Sequence, residues 1–151
     1  MKPLEHQVQE LLDREEIKEL TARYAHGVAR GEGAAVAALF TEDGVFRNHF
    51  PNQPVTEVRG REALNEFYGA IQRNVALPCI HNHLIAVTGD EASGTGSIEV
   101  RLTRNGQSMI GSEYYEDRFR REQGRWKFVA RECTFFHFVP LHQGWAEAAK
   151  A

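Results

Sequence analysis

Two histidines stand two residues apart in the run His81-Asn82-His83. On a strand, positions i and i+2 share a face, so the pair has the spacing for a metal ion or for a proton-transferring base beside a second polar group. A strand metal site of this kind also needs a carboxylate further along the same strand and another histidine on a later one. Val87 occupies the first of these places, and residues 109–121 contain no histidine. No metal is therefore expected. What remains is a pocket histidine, His81, with His83 at the rim and Asn82 turned to the opposite face by alternation. Cys79 falls on the His81 side of the same strand, which would allow a cysteine–histidine pair. A small buried thiol is the commoner state of such a residue. There is no Gly-x-Ser-x-Gly nucleophile turn. Gly94-x-Gly96 lies at a strand start rather than between a strand and a helix, so its amides would not converge on a phosphate.

The elements that position these residues change character along the chain. Ile17, Leu20, Tyr24 and Val28 recur at helical spacing, and Asp13-Arg14-Glu15-Glu16 reads as a capping box opening that helix, with a preceding turn or two over Leu4, Val8, Leu11 and Leu12. Gly31-Glu32-Gly33 stops it, a short alanine-rich helix follows over 34–40, and Thr41-Glu42-Asp43-Gly44 reads as a turn. A strand is predicted at 45–50, a loop at 51–59, and a third helix from Gly60 with Leu64, Phe67, Tyr68 and Ile71 on one face. From Pro78 the period becomes two. Hairpin-linked strands follow, broken at Thr88-Gly89-Asp90, Asn105-Gly106 and Gln123-Gly124. Helices first and strands later make an α+β plan, an antiparallel sheet with helices on one face.

Composition sets the outer limits. The 151 residues carry 18 Lys and Arg against 21 Asp and Glu, a formal charge of −3, which excludes a strongly basic nucleic-acid surface. No apolar run approaches the roughly 18 residues of a membrane span, and the first residues lack the apolar stretch of a signal peptide. Two separated cysteines, Cys79 and Cys133, suit reduced thiols, so a cytoplasmic location is expected. One domain over 1–151 is expected, with a core at 13–141 and a tail at 142–151 that folds over a pocket mouth, crosses to a neighbouring subunit or simply frays. Phe135-Phe136-His137-Phe138 is apolar on both strand faces, the mark of a homo-oligomer, dimer or trimer.

The order and spacing of several short motifs resemble the SnoaL-like branch of the nuclear transport factor 2-like superfamily. They are Ile17-Lys18-Glu19-Leu20-x-x-x-Tyr24, Leu39-Phe40-Thr41-Glu42-Asp43-Gly44, Gly60-Arg61-Glu62-Ala63-Leu64, Ile80-His81-Asn82-His83, Thr88-Gly89-Asp90-Glu91-Ala92-x-Gly94, and the stretch from Tyr115 to Phe128. The resemblance implies a cone: a curved sheet wrapped on N-terminal helices around an apolar pocket. It also implies proton-transfer chemistry without metal or organic cofactor on a small apolar, cyclic molecule, as in dehydratases, dehydrohalogenases, steroid isomerases and polyketide cyclases.

Residue by residue, the resemblance carries a base onto His81 and a hydrogen-bonding tyrosine onto Tyr24. Val28, Ala29, Phe46, Phe67, Tyr115 and Phe136 are the pocket lining expected from it. The aspartate that should orient the histidine falls at position 29, which is Ala29. Two outcomes follow. Glu113, Asp117 or Glu132 replaces that carboxylate across the sheet, or the pocket binds an apolar ligand without turning it over. A third class, a protein-interaction module like the superfamily's transport factor, would leave Tyr24 and His81 without a task.

Overall fold

Leu4–Arg30 form one continuous helix, α1, in the computed structural model, which describes residues 1–144 and Ala146. The helix ends where Gly31 takes the left-handed conformation, φ 69°, and its amide turns back to the Val28 carbonyl. Asp13 does not open α1 as the capping pattern suggests. It lies buried within the helix, and its carboxylate accepts from Trp126 Nε1 at 3.2 Å, Arg121 Nη2 at 2.9 Å and Gln9 Nε2 at 3.1 Å. The acidic residue ties helix to sheet, which is why it can sit mid-helix in the dry.

Short α2 (Gly33–Ala38) leads into β1 (Phe40–His49), then β2 (Thr56–Arg59), α3 (Arg61–Gly69), β3 (Ala76–Thr88), β4 (Glu91–Arg104), β5 (Gln107–Glu122) and β6 (Arg125–Pro140). The turn expected at 41–44 is a register irregularity inside β1, and the predicted loop at 51–59 contains β2. The strands form one six-stranded sheet in the order β2-β1-β6-β5-β4-β3. All neighbours are antiparallel except β1 and β6, which run parallel and close the long connection through the helices. The α+β plan holds, with that one parallel pair added to it.

The α1 stripe of Ile17, Leu20, Tyr24 and Val28 packs on the inner face of the sheet with Phe40, Phe46, Phe119, Trp126 and Phe128. No helix among the described residues is long and apolar enough to cross a membrane. Residues 145 and 147–151, most of the expected tail, lie outside the described residues.

Strand β3 contains the feature that matters most for the site. His81 pairs with Ser97 and Leu84 with Thr95, three steps on β3 against two on β4. The extra residue is a β-bulge, and Asn82 within it takes a positive φ of 50°. Asparagine tolerates that region better than most side chains do. The bulge inverts the alternation. Ile80 packs inward before it, and Ile85 and Val87 pack inward after it, so His81 and His83 do not share a face.

Candidate active site

His81 lies on the outer face of the sheet, its side chain 53% exposed, with Glu99 as its nearest carboxylate at 3.9 Å. That distance is beyond a hydrogen bond. The expectation that His81 faces an interior pocket is thus corrected by the bulge, which delivers His83 to the inner face instead.

His83 is half-buried, and its Nε2 is fully buried without a hydrogen-bond partner. The ring lies over Gly94 and Gly96 of β4. A Cβ at Gly94 would come within 3.1 Å of Nε2, and one at Gly96 within 3.5 Å of Cδ2. The two glycines therefore serve as a gap through which the imidazole reaches across β4, a task unrelated to phosphate binding. On the far side of that gap, Asp117 pairs with Gly94 in the β4–β5 register. Burial lowers the His83 pKa from its ordinary value; the Asp117 carboxylate works against that, and Arg131 and Lys18 reinforce it. The ring is neutral near pH 7 and able to accept a proton.

Behind His83 lies a buried ion pair. Arg131, opposite Asp117 on β6, donates from Nε to Oδ1 at 2.8 Å and from Nη2 to Oδ2 at 2.7 Å, and both side chains are wholly buried. The guanidinium sits 4.1–4.2 Å from the ring centres of Tyr24, Tyr115 and Phe128, and its Nη1 has no hydrogen-bond partner. Aromatic faces supply part of the solvation that Nη1 lacks. Burial alone would lower the Arg131 pKa, but Asp117 outweighs it and the group stays charged.

The three candidate replacement carboxylates have separate partners. Asp117 serves Arg131. Glu113 accepts from the Cys133 thiol in the interior, and burial pushes its carboxyl up to about 7. Glu132 lies on the outer face with Arg47 and His49. Of the three, only Asp117 acts electrostatically on His83, and both its oxygens are already occupied by Arg131.

Tyr24 is buried, and its hydroxyl accepts from Tyr68 at 3.1 Å. Burial raises its pKa to about 12. Val28, Phe46 and Tyr115 are core residues, while Ala29 and Phe67 are half-buried. Phe136 is corrected: it shares strand parity with the outer-face Glu132 and points outward, 68% exposed, its ring 5.3 Å from that of Tyr114.

The open space lies elsewhere, along the seam between α1 and β3. Two clefts there, of about 650 and 390 Å³, both include Lys18 and His83 in their walls. The first runs beneath Leu11, Arg14 and Leu84; the second reaches Thr21, Ala25 and Pro78. Neither includes Tyr24 or any of the six residues expected to line the pocket. Sequence reasoning missed Lys18, Asp117's position behind His83, and Arg131. The available signal was parity: Ile80 and Ile85 are five residues apart, which no unbroken strand can place on one face.

Comparison with known proteins fits this architecture. A family profile described as the SnoaL-like domain matches residues 9–132. A structure of a Mycobacterium tuberculosis protein of unknown function is 30% identical, covering 99% of this chain and 88% of that one, with a TM-score of 0.75. A candidate scytalone dehydratase from Novosphingobium aromaticivorans is 22% identical over 90% of this chain and 92% of its own, TM-score 0.78. A hexachlorocyclohexane dehydrochlorinase is 19% identical over 89% and 93%, TM-score 0.74. At those two identities the likeness is one of fold. A curated steroid Δ-isomerase from Nocardioides simplex is 45% identical over 58 residues, 37% of this chain and 43% of that protein. The chain thus spans less than half of that relative's length.

Proposed function

This chain belongs to the SnoaL-like domain family, and on that footing we propose that it is a lyase or isomerase that moves a proton on a small, largely apolar molecule bound in the α1–β3 seam. The chemistry is supplied by its own side chains, with no cofactor. The observation that carries this reading is His83: a neutral imidazole in the wall of both clefts, its buried Nε2 without a hydrogen-bond partner and its ring within the electrostatic reach of the fixed Asp117 carboxylate. His83 takes a proton from an activated carbon. Asp117 stabilises the imidazolium that forms, and Arg131 holds Asp117 in place through two hydrogen bonds. The proton then returns to a neighbouring carbon in an isomerisation, or stays as a leaving group departs in an elimination. Tyr24 supports the arrangement from inside, its ring on the Arg131 guanidinium, rather than from the seam.

The curated relative's name points to a steroid as the first probe, and a Δ5-3-oxosteroid suits the assay because moving its double bond produces a conjugated enone with its own absorbance. His83→Gln should lose at least about a hundredfold in turnover, the usual scale of a general base, with folding intact by circular dichroism. Turnover equal to that of the unaltered protein would remove His83 from the chemistry. One observation favours a second reading, a binding protein without turnover: the position where the resemblance places the orienting carboxylate is Ala29, and the Asp117 oxygens are committed to Arg131. In that case His83→Gln changes affinity alone.

A further inference from the structure

We propose that the larger cleft of the seam recognises a carboxylate, and that the molecule it takes is an amphiphile: an apolar body carrying one carboxylate group. This inference rests on the reading of the seam as the substrate site and names the class of molecule bound there.

Two independent features of the cleft point the same way. The first is its cationic wall. Leu11, Arg14 and Lys18 recur at helical spacing, which puts all three over the cleft. Arg14 Nε is buried with no hydrogen-bond partner, an orphan donor inside the cavity wall. Arg14 and Lys18 meet Glu10 and Glu15 only at 3.3 and 3.4 Å, in pairs whose side chains are partly to well exposed. Exposed pairs of this sort contribute little and give way readily to a better-placed acceptor. Glu15 is an acid in the same wall, so its lining of Arg14, Lys18 and Glu15 keeps one positive charge in excess, while Glu10, outside the lining, is held more closely by Lys2 at 2.8 Å than by Arg14.

The second feature is apolar. Leu11 on the helix and Leu84 on the strand line the same cleft, and both are largely exposed, at 66% and 75%. The bulge that turns His83 inward is also what turns Leu84 outward. A ligand body lying between the two leucines removes both from water. Its carboxylate then meets the Arg14 fork, which suits two carboxylate oxygens, with Lys18 as a second cation. The cleft's volume of about 650 Å³ is that of a small-molecule site.

The test uses decanoate, below its micelle concentration, and decanol as the neutral probe of equal length. Binding is measured by calorimetry at low and high salt, and the His83 ring resonances are followed in the same titration. Decanoate should bind more tightly than decanol, weaken with salt, and lose at least about tenfold in the Arg14→Gln, Lys18→Gln double variant, the scale of charged hydrogen bonds. Decanol binding as tightly as decanoate, decanoate failing to bind, or the double variant retaining full affinity each overturns the proposal. Carboxylate-dependent binding that leaves the His83 resonances unmoved keeps the clasp and overturns the placement of the chemistry at His83. Displacement of the His83 resonances by both probes alike keeps the seam and overturns the clasp.

Discussion

The interior of the cone and the seam at its edge treat polar groups in opposite ways. In the interior, Arg131 and Asp117 are wholly buried, locked by two hydrogen bonds and flanked by three aromatic rings. In the seam, the Nε2 of His83 and the Nε of Arg14 are buried without protein partners beside open volume. The interior has used nearly all its polarity to fix a structure, leaving only Arg131 Nη1 among aromatic faces, while the seam keeps buried polar atoms unpaired next to loosely held surface ion pairs. The gap at Gly94 and Gly96 lets the first set the electrostatics of the second. A buried pair is a poor source of net stability but a rigid one, and rigidity is what a site that must hold a field needs.

The largest effect expected from breaking this contrast lies in the interior. Asp117→Asn leaves the Arg131 charge buried and uncompensated and should cost about 3–5 kcal/mol in denaturant unfolding. A loss below about 1 kcal/mol would mean that the pair is not dry.

Glu113 gives the next effect, and it depends on pH. Its carboxyl is raised from 4.5 to about 7 by burial, so between those values the folded state holds a proton that the unfolded state has released. Stability from this group is fully present below about pH 4.5, falls as pH rises, and levels off above 7, a change of order 3 kcal/mol. Glu113→Gln should flatten that part of the profile and be the more stable protein at pH 8. An unchanged profile would place the titration elsewhere.

Gly94→Ala probes the gap itself. The new methyl would meet Phe119 Cε2 at 3.0 Å, His83 Nε2 at 3.1 Å and the Leu84 carbonyl at 3.3 Å. Loss of about 1–3 kcal/mol is expected from this overpacking, with the His83 ring displaced from Asp117. The smallest stability effect belongs to His83→Gln, within about 1 kcal/mol near pH 7, since Nε2 gives up no hydrogen bond there. Because the folded pKa of His83 is lowered, the unaltered protein loses stability as pH falls below the ordinary histidine value, and the variant should lose less. Thermal unfolding across the acid range would show this as a difference between the two curves that moves in the variant's favour on acidification.

Much of the architecture was legible because it is written in local signals. The Ile17, Leu20, Tyr24, Val28 stripe, the Gly31 stop, the Asn105-Gly106 turn and the change to period two each place an element without reference to the rest. The site was less legible because it depends on a parity break. Strict alternation assigns His81 inward, and one additional residue at Asn82 reverses every side chain after it. Phe136 is a different case: alternation from Cys133 and Phe135 already turns it outward, and only the pocket lining carried over from the resemblance places it inside. Asp13 misled for a different reason: an acid followed by glutamates looks like a helix cap, whereas its partners, Arg121 and Trp126, are more than a hundred residues away. Pairing across the sheet, which puts Asp117 between Arg131 and His83, has no signature in the linear sequence.

His83, not His81, is the inward histidine, and it is neutral at physiological pH. This is tested most directly by following the His83 ring nitrogens by NMR from pH 4 to 9. Titration below the ordinary histidine value of 6.5 is expected, with the midpoint falling further in Asp117→Asn as that negative charge is removed. Titration of His83 at or above 6.5, indifferent to Asp117, would contradict it.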